Sequence, residues 1–147
     1  MAGGTSHQID VRKKAEFLRR VTFELAGNTQ MSVEGDLSKC KFTADVIVTG
    51  DETPLFKRNT VAPKQDFLVL RLTPETVGPI LKEIMAAGLN QAITHVQIER
   101  DGTLELGAYD NFHRGCVVTG PGVSRALLEE LKSTDVLRDF KVAAAKK

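Results

Sequence analysis

The chain has 147 residues, 41% of them hydrophobic and 27% charged, with 20 Lys and Arg against 19 Asp and Glu. That length suits one domain around one core, and a net charge of +1 at this apolar content excludes disorder as the main state. The charge balance argues against a dedicated nucleic-acid binder, and the longest uncharged apolar stretch, Ile84–Leu89, is far short of the roughly 20 residues a membrane-spanning helix needs.

Residues 1–8 are small and polar and are expected to form a flexible N-terminus. Asp10 is placed to cap a short helix with Val11, Ala15 and Leu18 on one face and Arg12, Lys13, Lys14 and Arg19 on the other. The period then reads as alternating: Val21, Phe23 and Leu25 suggest a strand, Gly27-Asn28 a turn, and Thr29–Gly35 the second arm of a hairpin. Phe42, Ala44, Val46 and Val48 give a third alternating run, ended by Gly50-Asp51. Glu52–Asp66 reads as a long surface loop with a short edge strand at Leu55–Lys57. Phe67–Leu72 is almost continuously apolar, as in a central strand covered on both faces.

Thr73-Pro74 opens a turn, and Pro79 delays the regular helix, which is expected over 79–87 with Gly88 as its stop. Ile80, Leu81, Ile84 and Met85 form its buried stripe. The next hairpin is read with a three-residue loop, Arg100-Asp101-Gly102. Glu99 then pairs with Thr103, Ile98 with Leu104, Val96 with Leu106, Thr94 with Ala108, and His95 with Gly107 on the outer face. Cys116–Thr119 is a short strand. A second main helix spans 121–133 with Val123, Leu127, Leu128 and Leu131 inward. Asp135–Phe140 packs back, and 141–147 form a tail. At the offset that lays Pro74 on Pro121, Ile80, Leu81, Glu83 and Ile84 fall on Leu127, Leu128, Glu130 and Leu131. General rules for strand-to-helix connections account for this echo.

The expected architecture is α+β, with residues 9–140 as a single domain. A mostly antiparallel sheet of about six to seven strands would carry two main helices on one face, with a short N-terminal helix besides. No basic region followed by an apolar stretch opens the chain, so no secretory signal is expected. Cys40 and Cys116 are too few for a disulfide framework and stand outside any CxxC pair. A cytoplasmic protein with free thiols follows.

The densest polar segment is Gly107–Val117. Asp110, His113 and Cys116 are its candidate catalytic residues, as orienting carboxylate, general base and nucleophile. Tyr109 and Arg114 are candidate ligand contacts. The same residues read structurally as turn chemistry around Phe112, a core anchor. Thr119–Arg125 is a glycine-containing strand-to-helix turn whose Ser124 and Arg125 could bind an anion at a helix N-terminus. It lacks the third small residue of a dinucleotide fingerprint and the Gly-Lys-Ser/Thr of a P-loop, and a capped turn is the favoured explanation of the same residues. His7, His95 and His113 are scattered, so no metal site and no cofactor is expected. The leading functional expectation is a binding domain acting on a partner protein or on its own copy. The alternatives are a small enzyme or ligand-binding protein using Tyr109–Cys116, and a nucleic-acid accessory protein using the basic N-terminal helix. No membrane partner is expected.

Overall fold

The computed structural model describes residues 5–60 and 63–143. Its elements are β1 (His7–Val11), α1 (Lys14–Leu25), β2 (Thr29–Gly35), β3 (Ile47–Thr49), β4 (Asp66–Leu72), α2 (Val77–Ala87), α3 (Leu89–Ala92), β5 (Ile93–Arg100), β6 (Thr103–Ala108), β7 (Val117–Thr119), α4 (Arg125–Ser133) and β8 (Leu137–Val142). The fold is α+β. Its eight described strands form one sheet in the order β3-β4-β2-β5-β6-β7-β1-β8, antiparallel at every step. Alternation sends Ile9, Met31, Val33, Leu70, Val96, Ile98 and Leu106 to one face. There they join Phe17, Leu18, Ile80, Ile84, Leu128 and Leu131 of the helices in one continuous core. No helix among the described residues is long and apolar enough to cross a membrane.

The N-terminal third departs from the expectation. Residues 7–11 are a strand, not a mobile lead into a helix, and they account for a strand beyond the expected number. Asp10 does not cap a helix: it lies opposite Asp139 within the sheet. Val21, Phe23 and Leu25 belong to a helix, not a strand. The buried stripe of α1 is Phe17, Leu18, Val21 and Leu25, at helical spacing, while Phe23 is 54% exposed. Ala15, expected inward, is exposed. Thr29–Gly35 is the strand expected, but its partners are β4 and β5 rather than an adjacent hairpin arm.

The third alternating run contracts to three residues in β3, and Leu55–Lys57 forms no strand. Residues 52–60 instead form a strap on the face of the sheet opposite the helices, with Phe56 packed on Phe67 and Val69. Phe67–Leu72 is therefore covered on both faces, although β4 is second from the edge rather than central. The C-terminal tail begins later than expected, because 141 and 142 belong to β8. Residues 1–4 and 144–147 lie outside the described residues.

The β5–β6 hairpin turns on two residues, Asp101 and Gly102, both at positive φ, and Arg100 pairs with Thr103. Such a turn alone would set Ile98 against Glu105. A bulge corrects this: Glu99 pairs with Leu104, Ile98 with Leu106, and Gln97 with Gly107, leaving Glu105 as the extra residue. The expected three-residue loop is thus replaced by a tighter turn plus a bulge. Both solutions keep apolar residues on one face, and the His95–Gly107 pairing does not form.

β2 lies between β4 and β5, which α2 connects, and β1 lies between β7 and β8, which α4 connects. The chain therefore holds two split β-α-β units, and the Pro74–Pro121 offset superposes their strand-to-helix connections.

His7 faces the core side of β1. It is 3% exposed, with its ring edge-on to Phe140 at 5.7 Å. Burial first, and the Arg125 cation second, hold its pKa below the ordinary 6.5. As pH falls through 6.5 the unfolded chain takes up this proton before the folded chain does. Stability is expected to drop below pH 6.5 and to level off once the folded ring titrates. Urea unfolding of wild type and His7→Phe across that range checks this, since the variant should lose that component of the slope.

Candidate functional site

Strand alternation places Ser32 and Glu34 of β2 on the face opposite the helices, where Ser32 pairs with Gln97 and Glu34 with His95 of β5. All four are buried, with residues 57–60 of the strap bonded over them. The backbone N–H of Asn59 donates to Glu34 Oε1 at 2.9 Å, and that of Thr60 to Oε2 at 3.2 Å. The His95 Nε2 lies 2.7 Å from Thr60 Oγ1. The Asp110 N–H donates to His95 Nδ1 at 3.1 Å. A backbone amide can only donate, so Nδ1 carries no proton here and the neutral ring presents Nε2–H to the Thr60 hydroxyl. Gln97 Nε2 donates to Ser32 Oγ at 3.0 Å and to the Lys57 carbonyl at 3.2 Å, while the Tyr109 hydroxyl donates to Gln97 Oε1 at 3.3 Å. Burial raises the Tyr109 pKa, keeping the phenol protonated.

This cluster works as a clasp. Both oxygens of one buried carboxylate hold the strap's backbone, and the histidine ring links the strap to the 109–116 loop. Glu34→Gln replaces one acceptor by an NH2 group facing an amide N–H. It should cost about 1–3 kcal/mol and speed hydrogen exchange at Asn59 and Thr60. Unchanged exchange there would show that Phe56, His95 and Gln97 hold the strap without Glu34. The sequence carried a partial signal for the cluster, in polar residues alternating along central strands. What it lacked was the strap that buries them.

The 109–116 loop takes its shape from its backbone and one buried ring. Asp110, Asn111 and Phe112 run consecutively at positive φ, 53°, 54° and 61°, a conformation that L-residues adopt only when their surroundings impose it. Asn111 supplies most of that constraint. Its N–H donates to the Thr94 carbonyl, its Nδ2 to the carbonyls of Leu89 and Ile93, and its Oδ1 accepts from Lys14 Nζ at 2.6 Å. Phe112 is buried against Phe17. Asp110 and His113 are exposed and Cys116 is half-buried. No side-chain hydrogen bond or ion pair joins Asp110, His113 and Cys116 among the described residues. The backbone does connect them, with the Cys116 N–H donating to the His113 carbonyl. Arg114 is 84% exposed and reaches Asp10 at 3.7 Å. It lines an open pocket of about 240 Å³ with Gln8, Asp10, Asp139 and Lys141. His113→Ala is expected to stay within about 0.5 kcal/mol of wild type in urea unfolding.

The glycine turn already holds an anion of the chain's own. The Gly122 N–H donates to Glu105 Oε1 at 2.7 Å, and the Gly120 N–H to the Glu105 carbonyl at 2.9 Å. A Cβ at Gly122 would meet that carboxylate at 2.7 Å, so the second glycine is required by the bulged Glu105. Ser124 caps α4, its Oγ accepting from the Leu127 N–H at 3.1 Å. Arg125 donates from Nε to Glu129 and leans over the Phe140 ring at 5.5 Å.

Several other polar groups are also engaged. Arg12 pairs with Asp135, Arg19 with Glu16 and Arg20 with Glu130. The Cys40 thiol donates to the Glu83 carbonyl, and burial, followed by the Glu83 and Asp36 charges, pushes its pKa up, away from thiolate reactivity. No three His, Cys, Asp or Glu residues gather as a metal site among the described residues. No family model, curated protein or solved structure matches this chain.

Proposed function

We propose that the chain is a binding domain in the cytoplasm that acts by contact with another protein, a second copy of itself included. The observation that carries this reading is the use of its ionisable groups within the fold. Glu34, His95 and Glu105 hold backbone segments in place, and the N-terminal arginines are matched by carboxylates, which weakens the case for nucleic acid as their partner. Apolar surface remains where residues 41–46 approach α2: Phe42, Val46, Pro79 and Ile80 line a groove of about 410 Å³ rimmed by Lys41, Lys82 and Glu83. An apolar floor with a charged rim suits a protein contact. The sheet edges are less suited, since β3 is short and bulged and β8 carries Arg138, Asp139 and Lys141.

The test is recovery of bound molecules by the tagged chain from a native lysate at two salt concentrations, with Phe42→Glu in parallel. A sedimentation series over chain concentration accompanies it. The expected result is a protein partner, or a second copy, retained at higher salt and lost in the variant. Recovery of nucleic acid that disappears at higher salt, or equal recovery by the variant, would overturn the reading.

A further inference from the structure

We infer that the pocket at the amino end of α4 binds a compact oxyanion, with a phosphate group as the ligand chemistry it fits. The pocket holds about 240 Å³ and is lined by Thr5, His7, Pro121, Ser124, Arg125 and Val142. That is below the range of about 300–1,000 Å³ typical of drug-sized ligands. Three features converge there. The first is the start of a nine-residue helix. Ser124 Oγ takes the Leu127 N–H, while the first-turn amides of Arg125 and Ala126 have no carbonyl partner within the helix.

The second is the Arg125 guanidinium. Its Nε is held by Glu129 at 3.1 Å, and its terminal nitrogens make no hydrogen bond among the described residues. Among the described residues Glu129 is the one carboxylate paired with this cation, and it binds from the next turn of the helix. The third is independent of the helix. His7 lines the same pocket and is 3% exposed, yet neither ring nitrogen has a hydrogen-bond partner. Thr119 Oγ1, on the residue paired with His7, is likewise buried without one. Buried polar atoms are rarely left so. An oxyanion seated between the helix start and Arg125 would accept from the ring N–H, and its charge would favour the protonated ring.

The experiment is a titration of the full chain with inorganic phosphate near neutral pH and at constant ionic strength. It is followed by NMR at the Ser124–Ala126 amides and the His7 ring. Saturable shifts confined to those groups are expected. Arg125→Gln should weaken binding by about tenfold or more, the loss of one charge-assisted contact, and His7→Phe should weaken it several-fold. Arg114→Gln, at a more exposed arginine elsewhere, should leave it unchanged. Shifts that fail to saturate, that spread over the surface, or that survive Arg125→Gln would overturn the site. Equal binding of acetate would overturn the phosphate assignment.

Discussion

Phe112→Ala is expected to lower the unfolding free energy by about 3–5 kcal/mol, as for other buried aromatic truncations. The ring is 3% exposed and meets Phe17 edge-to-face, at 6.2 Å between centroids and 87° between planes. Its burial also sustains an unfavourable backbone. Three successive residues at positive φ persist only while Asn111 and Phe112 together hold them, so removing the ring releases strain that the packing had opposed. The loop should then loosen as a unit, with faster amide exchange at Asp110 and Asn111. Urea unfolding measures the first effect and hydrogen exchange the second. A loss below 1 kcal/mol would mean that Asn111 alone fixes the loop.

Leu70→Ala is expected to cost about 2–5 kcal/mol. Leu70 is fully buried and sits opposite Met31 of β2 on one side and Ile47 of β3 on the other. The strand's second face is sealed by Phe56 against Phe67 and Val69, so the sheet has little freedom to collapse into the space left. Denaturant unfolding at unchanged m-value checks it, and a loss under 1 kcal/mol would place Leu70 in a site that relaxes.

The fold class, the two main helices and most core positions are legible because their apolar spacings admit one period, although α2 begins at Val77 rather than 79 and α4 at Arg125 rather than 121. The α1 segment is not, for a specific reason. Val21 and Leu25 are four apart, a separation that fits both a strand face and a helix stripe. Phe23 tipped the reading toward a strand, and it is the residue that α1 leaves exposed. The neighbouring pair Phe17-Leu18 favours the helix but counts only if the helix is allowed to run past Arg20. The hairpin failed at one residue, since a bulge at Glu105 leaves no periodic signature of its own.

The candidate loop shows what spacing carries. Phe112 as an anchor follows from its type among polar neighbours. That Asn111 would tie α1, α3 and β5 together depends on contacts from distant parts of the chain. The clasp around Glu34 is of the same kind, because its ligands are backbone amides of a strap that no side-chain pattern marks.

β1 leaves the ribosome well before both strands that flank it, β7 and β8. At about 5–20 residues per second, β2 through β6 can assemble while β1 waits unpaired. Its Ile9 and Val11, buried in the finished molecule, then have no neighbours on either side. Closure of the sheet is thus a late, sequence-distant event of the kind that slows folding. Any nascent chain stalled before β7 carries β1 as an unpaired apolar strand, open to capture by a chaperone or by another such chain.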